Sequence, residues 1–228
     1  MKLEVKNLYK SYKKNAVLKG VSFEAQGGEM IGILGGNGTG KTTLLSAMAG
    51  MCHGVKGEVL FDGANLLDHP KLSGDVIAYV PQVNPLMEEL TGRDNLSLWY
   101  DGKILDMAIE RGLLGRLGIG DFADKRVFEM SGGMKKRLAI GCALNSNAPI
   151  ILLDEPTAAL DLQAKLELYD FFEGIKKEGR ILILVTHEKD EIAKCDRLFL
   201  FQNGKVSPYH YEGDERKLAS DLSESFFG

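Results

Sequence analysis

The run Gly35-Gly36-Asn37-Gly38-Thr39-Gly40-Lys41-Thr42 constrains this chain more than any other feature. It matches the pattern G-x-x-x-x-G-K-[ST] at every fixed position. Met30-Ile31-Gly32-Ile33-Leu34 before it reads as a short buried strand, and Thr43 to Ala49 after it reads as a helix. A strand, a glycine turn and a helix start leave a concave row of backbone N–H groups facing an anion. The glycines permit positive φ and a close approach of backbone to phosphate. Lys41 adds a point charge suited to β- and γ-phosphates, and the Thr42 hydroxyl is placed for Mg²⁺. The run therefore implies binding of a nucleotide through its phosphates.

The 228 residues suffice for one full hydrophobic core. A net charge of −4 with acids and bases intermixed argues against a dominant nucleic-acid footprint, so no nucleic-acid partner is expected. The basic run Lys135-Lys136-Arg137 reads as a solvated helix face. Cys52, Cys142 and Cys195 are scattered and odd in number, which predicts free buried thiols in a reducing compartment. Met1 to Lys10 mixes polar and apolar residues and carries no signal pattern. The apolar runs near Ile150 and Ile181 fall far short of the roughly 20 residues needed to span a bilayer. A soluble, cytosolic chain is expected, with any membrane role arising through a partner.

Along the chain, Leu3 to Leu8 and Val17 to Glu24 alternate and predict antiparallel strands before the Gly27-Gly28 turn. Gly57 to Gly63 and Val76 to Val80 read as further strands, the second stopped by Pro81. From about 91 to 147 apolar residues recur at helical spacing, as in Leu96 with Tyr100 and Ile104 with Ala108. Ile150 to Leu153, a helical stretch from Leu162 to Lys177, and Ile181 to Val185 form a βαβ pattern with buried strands. Phe199 to Val206 predicts a hairpin turning at Asn203-Gly204. Leu218, Leu222 and Phe226 share one face of a predicted short tail helix.

Two more clusters carry chemistry. Ile151-Leu152-Leu153-Asp154-Glu155 is an apolar strand ending in two acids, at the edge where open α/β sheets bind ligands. Asp154 is placed to hold Mg²⁺ or its water opposite Thr42. Glu155 is placed to orient or deprotonate a water aimed at the γ-phosphate. Ser131-Gly132-Gly133 opens a helix, and a serine N-cap with bare glycine backbone forms a second anion half-site.

This ordered set resembles the ATP-binding subunit of ABC transporters over nearly the whole length. Gly35 to Thr42 matches the Walker A loop, Gln82 the Q-loop, and Met130-Ser131-Gly132-Gly133-Met134 the signature. Ile150 to Asp154 matches Walker B, Ala159-Leu160-Asp161 the D-loop, and His187 the H-loop switch. The resemblance implies an α/β P-loop NTPase fold. It would have a mostly parallel RecA-like core sheet, an N-terminal antiparallel β sub-domain and a helical signature sub-domain, all in one domain over 1–228. ATP and Mg²⁺ are the implied cofactors. Tyr12 would stack on adenine, while the loop residues Gly35, Gly36, Asn37, Gly38, Thr39, Gly40, Lys41, Thr42 and Thr43 would hold phosphate. Thr42, Gln82 and Asp154 would hold the metal. Glu155, His187 and Lys41 would be catalytic, and Ser131, Gly132, Gly133 and Asp161 would complete a nucleotide site in a second chain.

Implied partners are transmembrane permease subunits, docking near Gln82 and residues 83–95, and a second ATPase subunit, identical or similar. The implied location is the cytoplasmic face of the membrane, reached only through the permease. The signature departs from L-S-G-G-Q at Met130 and Met134, and Gly36 stands where the family often has proline. The chain stops soon after the hairpin, so no long regulatory C-terminal domain is expected. A non-transport ABC ATPase is the rival reading, but no coiled-coil heptads are present and there is room for one ATPase module. A small-molecule P-loop kinase is a more distant rival, and it leaves Ser131 to Gly133 and His187 unexplained.

Overall fold

The computed structural model describes residues 1–83, 85–145 and 147–223. Strand β1 (Lys2–Tyr12) pairs antiparallel with β2 (Asn15–Gln26). Their alternation buries Leu3 and Val5 and leaves Glu4 and Glu24 to pair with Lys2. The chain then enters β3 (Met30–Leu34), buried at every position, and passes through the glycine run into α1 (Lys41–Met48). β4 (Lys56–Phe61) and β5 (Ala64–Asn65) return to the first sheet, whose order is β2-β1-β4-β5.

A helix, α2 (Pro70–Val76), precedes β6 (Ile77–Val80). Val76, expected to open the strand, instead closes this helix. Pro70 at its first turn starts it without losing a hydrogen bond. The next stretch carries α3 (Gly92–Ser97), α4 (Gly102–Arg111), α5 (Leu113–Arg116) and α6 (Gly132–Ala143). Thr91 and Asp94 form a reciprocal cap on α3. Leu96 and Tyr100 lie in the core as expected, and the Tyr100 hydroxyl donates to the Gly141 carbonyl at 2.9 Å. The Ile104 and Ala108 pairing is corrected. Ile104 is exposed, and Leu105 is buried with Ala108 and Ile109 beside it. Two i, i+4 pairs one residue apart compete for the inner face, and packing chooses between them.

β7 (Ile150–Asp154), α7 (Leu162–Lys177) and β8 (Ile181–Val185) form the βαβ unit. After α8 (Lys189–Lys194), β9 (Arg197–Gln202) and β10 (Lys205–Tyr209) make the hairpin, with Asn203 and Gly204 both at positive φ. α9 (Glu215–Ser223) closes the described chain with Leu218 buried and Leu222 partly so; Phe226 lies outside the described residues. The second sheet runs β10-β9-β3-β8-β7-β6 and is parallel except for β10.

Because side chains alternate along a strand, this sheet feeds two cores. Ile31, Ile33, Leu152 and Ile183 pack with α1 and the antiparallel sheet. Ile151, Leu153, Leu182 and Leu184 pack with α7 and the helical stretch. The sheet is thereby pinned from both faces, and the ends of β3, β7 and β8 are held where the chemistry-bearing loops begin.

Lys135, Lys136 and Arg137 are not a solvated face. Lys135 pairs with Glu88 at 2.9 Å. Lys136 is buried, and Arg137 pairs with Glu167 at 2.8 Å while lying over the Phe122 ring. Successive positions on α6 point about 100° apart, so each meets a different neighbouring wall. The cysteines are free but half-buried rather than buried. Burial pushes the Cys142 thiol up to about 12 and the Cys195 thiol up as well, which disfavours the thiolate in both. Among the described residues no helix is long and apolar enough to cross a membrane.

Candidate functional site

The glycine run wraps its own lysine. Lys41 Nζ donates to the Gly35 and Gly36 carbonyls, both at 2.8 Å, and the Thr39 hydroxyl donates to the Gly36 carbonyl at 2.8 Å. Gly40 sits at φ 117, and a Cβ there would lie 2.5 Å from Val17 Cγ1, so glycine is required on both counts. Gly35 approaches the Phe201 carbonyl so closely that an added Cβ would lie 2.7 Å from it. Burial pulls the Lys41 ammonium below its ordinary range, while Glu155 and Asp154 push it back up.

The loop opens on a cavity of about 310 Å³. One wall is Asn37, Gly38, Gly40, Lys41, Thr42 and Thr43; the other is Gln82, Asp154, Glu155 and His187. The second wall comes from three separate strand ends, those of β6, β7 and β8. Parallel pairing of these strands sets their carboxyl ends side by side.

Asp154 is buried at the end of β7. Burial raises its carboxyl above the ordinary range; the Thr42 hydroxyl, Lys41 and Tyr79 pull it down, and Glu155 adds to the rise. The Tyr79 hydroxyl points at Asp154 Oδ2 from 3.5 Å. Glu155 follows at φ 46, in the left-handed region. Gln82 Nε2 donates to Glu155 Oε2 at 2.7 Å, and His187 Nδ1 lies 3.6 Å from Glu155 Oε1. Glu155 is thus flanked by Gln82, expected at the metal, and by His187, expected to be catalytic.

Oxygen donors from Thr42, Asp154 and Gln82 suit a hard cation such as Mg²⁺. No group of three or more acidic, histidine or cysteine side chains forms a metal cage among the described residues.

The other expected residues lie outside this cavity. Tyr12 ends β1, half exposed, with its hydroxyl 3.8 Å from Cys52 Sγ and the Thr43 hydroxyl nearby. Lys10 Nζ sits 4.6 Å from the Tyr12 ring centroid. Ser131 caps α6 by accepting from Met134 N at 3.3 Å. Asp161 caps α7 by accepting from Ala164 N at 2.9 Å. A Cβ on Gly133 would lie 2.8 Å from Ala164 Cβ, so the starts of α6 and α7 touch. Within one chain, Ser131, Gly132, Gly133 and Asp161 therefore form a second cluster.

Three contributors were missed in the sequence. Tyr79 looked like a core strand residue. Lys136 Nζ reaches the Pro81 and Gln82 carbonyls at 3.4 Å each. Its signal was its place on the apolar side of α6, three residues after Gly133 and four before Ile140. Glu191 lies in a helix too short to show periodicity.

The family model described as "ABC transporter" matches residues 18–158. The chain belongs to the ABC transporter family. It is the ATP-binding and ATP-hydrolysing subunit of such a transporter. This ABC ATPase is 36% identical over 209 residues to a Pyrococcus furiosus protein named as a candidate ABC transporter ATP-binding protein, covering 89% of this chain and 77% of that one. It is 32% identical over 210 residues to the Nod factor export ATP-binding protein I of Burkholderia lata, covering 89% and 68%. Its fold is similar to that of an ATP-binding cassette solved as a dimer in a post-hydrolysis state with ADP and Pi. The TM-score is 0.81 at 28% identity, over 93% of this chain and 100% of that chain.

Proposed function

We propose that two such chains, identical or similar, pack head to tail around ATP and drive a membrane permease from its cytoplasmic face. Each ATP would lie between the Lys41 loop of one chain and Ser131-Gly132-Gly133 of the other, with Asp161 beside it. The observation that carries this reading is the split of the expected residues into two clusters within one chain. One is a phosphate loop facing Asp154, Glu155, Gln82 and His187; the other is an exposed Ser131 cap outside that cavity. A second chain supplies the simplest way to join them.

In this reading 1–228 is a single ATPase domain, with 91–147 as its helical sub-domain. Tyr12 stacks on adenine. The backbone N–H groups from Gly35 to Thr43 hold the phosphates, with Gly36, Asn37, Gly38, Thr39 and Gly40 shaping the cradle. Thr42, Asp154 and Gln82 would hold Mg²⁺, which when bound neutralises phosphate charge. Glu155 takes the proton of the attacking water, with Gln82 and His187 orienting its carboxylate. Lys41 places its charge on the transferred phosphate.

The permease docks beside Gln82. An apolar groove of about 430 Å³ there includes Tyr79, Pro81, Leu86, Trp99 and Ala139, and Trp99 is 58% exposed. Solvent exposure of so large a ring next to the Q-loop supports a partner helix seated in the groove. Trp99→Asp is expected to leave ATP hydrolysis by the isolated chain unchanged and to abolish recovery of the chain with its permease. Recovery at the parental level would place the docking site elsewhere.

The nucleotide assignment has its own test. Lys41→Ala is expected to weaken ATP binding far more than adenosine binding. Tyr12→Ala is expected to weaken both alike, by about 1–3 kcal/mol if base stacking is the interaction. Titration of each variant with both ligands decides it. Equal losses from Lys41→Ala would remove the loop as the phosphate site.

A further inference from the structure

Among the described residues the buried carboxyl groups are Asp154 and Glu191. Asp154 faces the cavity, and Glu191 does not. Glu191 is on the first turn of α8, four residues after His187, and is 2% exposed. Its Oε1 accepts the Thr157 hydroxyl at 2.6 Å, while its Oε2 is buried with no hydrogen-bond partner. Burial pushes the carboxyl above the ordinary range, and the Thr157 and Thr186 hydroxyls oppose that rise. A half-satisfied buried carboxyl is a poor stabiliser, and an apolar side chain of similar size would cost less. Its contribution is therefore sought in what Oε1 holds in place.

Thr157 is fully buried two residues after Glu155. The strands that lead to Glu155 and His187, β7 and β8, stay joined by backbone bonds only to their ends, where Glu155 N donates to the Val185 carbonyl at 2.9 Å. Past that point the two segments are linked by Thr157 to Glu191 and, nearer the surface, by Lys165 to Glu188 at 2.7 Å. The Glu188 N–H is in turn held by the Thr186 hydroxyl at 2.9 Å, and the Cys195 thiol donates to the Glu191 carbonyl at 3.2 Å. His187 sits on the loop so bracketed, 3.6 Å from Glu155.

We infer that Glu191 is a positioning residue: with Thr157 it forms a buried tie that sets the distance between Glu155 and His187. This rests on the reading of Glu155 as the base. The tie also joins the H-loop to the segment leading into the D-loop.

The test is ATP hydrolysis and direct ATP binding in a set of variants. Thr157→Val removes the hydroxyl at constant shape, and Glu191→Met removes the acceptor. Each is expected to lower kcat by about tenfold with ATP affinity unchanged, the pattern of a lost transition-state arrangement. Thr157→Ser and Glu191→Gln retain a hydroxyl and an acceptor oxygen and are expected to stay near the parental kcat. The double variant Thr157→Val with Glu191→Met is expected to be no slower than either single, because one interaction is lost twice.

Parental kcat in Thr157→Val would overturn the inference, as would a loss of ATP affinity that accounts for the slower turnover. If Glu191→Met fails to fold, the Thr157→Val and Thr157→Ser pair still decides. Glu155→Gln runs alongside. Slow turnover there with normal turnover in Thr157→Val sinks the positioning role alone, whereas normal turnover in Glu155→Gln sinks the assignment of the base.

Discussion

Glu155→Gln binds ATP as tightly as the parent chain and hydrolyses it about 10²-fold more slowly or worse, the scale of losing a general base. The substitution isolates the base because the surrounding geometry can survive it. Glu155 Oε2 accepts from Gln82 Nε2 at 2.7 Å, and the amide oxygen of a glutamine can accept the same bond. Asp154, Thr42 and Lys41 are untouched, so phosphate binding has no reason to weaken. The variant should accumulate as an ATP-held pair of chains, since contacts made by ATP are removed only by hydrolysis. Equilibrium ATP binding, phosphate release and sedimentation on the same sample check the three outcomes. Turnover near the parental rate would take Glu155 out of the catalytic role.

Ser131→Arg abolishes ATP-driven pairing and hydrolysis while ATP binding to the single chain stays intact. Ser131 is exposed and outside the cavity of its own chain, so a bulky side chain there meets no residue of that cavity. It does lose the cap on α6, at a cost of about 1 kcal/mol. Ser131→Ala loses that cap as well without adding bulk, and so separates capping from obstruction. Mixing Ser131→Arg with Lys41→Ala is the sharper measurement. In a mixed pair one composite site joins an intact loop to an intact signature, and the other carries both lesions. Partial hydrolysis should return on mixing, provided one working site suffices. A Ser131→Arg chain that hydrolyses ATP normally as a monomer would end the two-chain mechanism.

Much of this molecule can be read from local pattern. The strands β3, β7 and β8 are short, continuous and apolar because both faces of a parallel sheet are covered. The hairpin turn at Asn203-Gly204 follows from the need for two positive φ values in succession. Ser131 announces a helix start because its oxygen accepts a backbone N–H group that lacks a partner, whereas the Asp161 cap on α7 emerged only in the structure. Where two registers of the same period compete, as with Ile104 and Leu105, the pattern is silent, and α2 was hidden by the strand that follows it. The run Lys135-Lys136-Arg137 misled for a related reason: charge suggests solvent, yet surrounding elements can supply each charge with its own partner.

By itself the sequence determined the glycine loop, the order of strand and helix signals, and the residues able to meet a nucleotide, because these depend on neighbours within a few positions. Only the tertiary structure decided which distant residues share a wall. Gln82, Glu155 and His187 are separated by long stretches of chain and meet because β6, β7 and β8 run parallel and end together. Burial of Lys136 and Glu191 and the 2.6 Å bond from Thr157 to Glu191 are likewise products of packing between elements. No local periodicity encodes them, because the energy of a buried polar group is set by the partners that the completed fold brings to it.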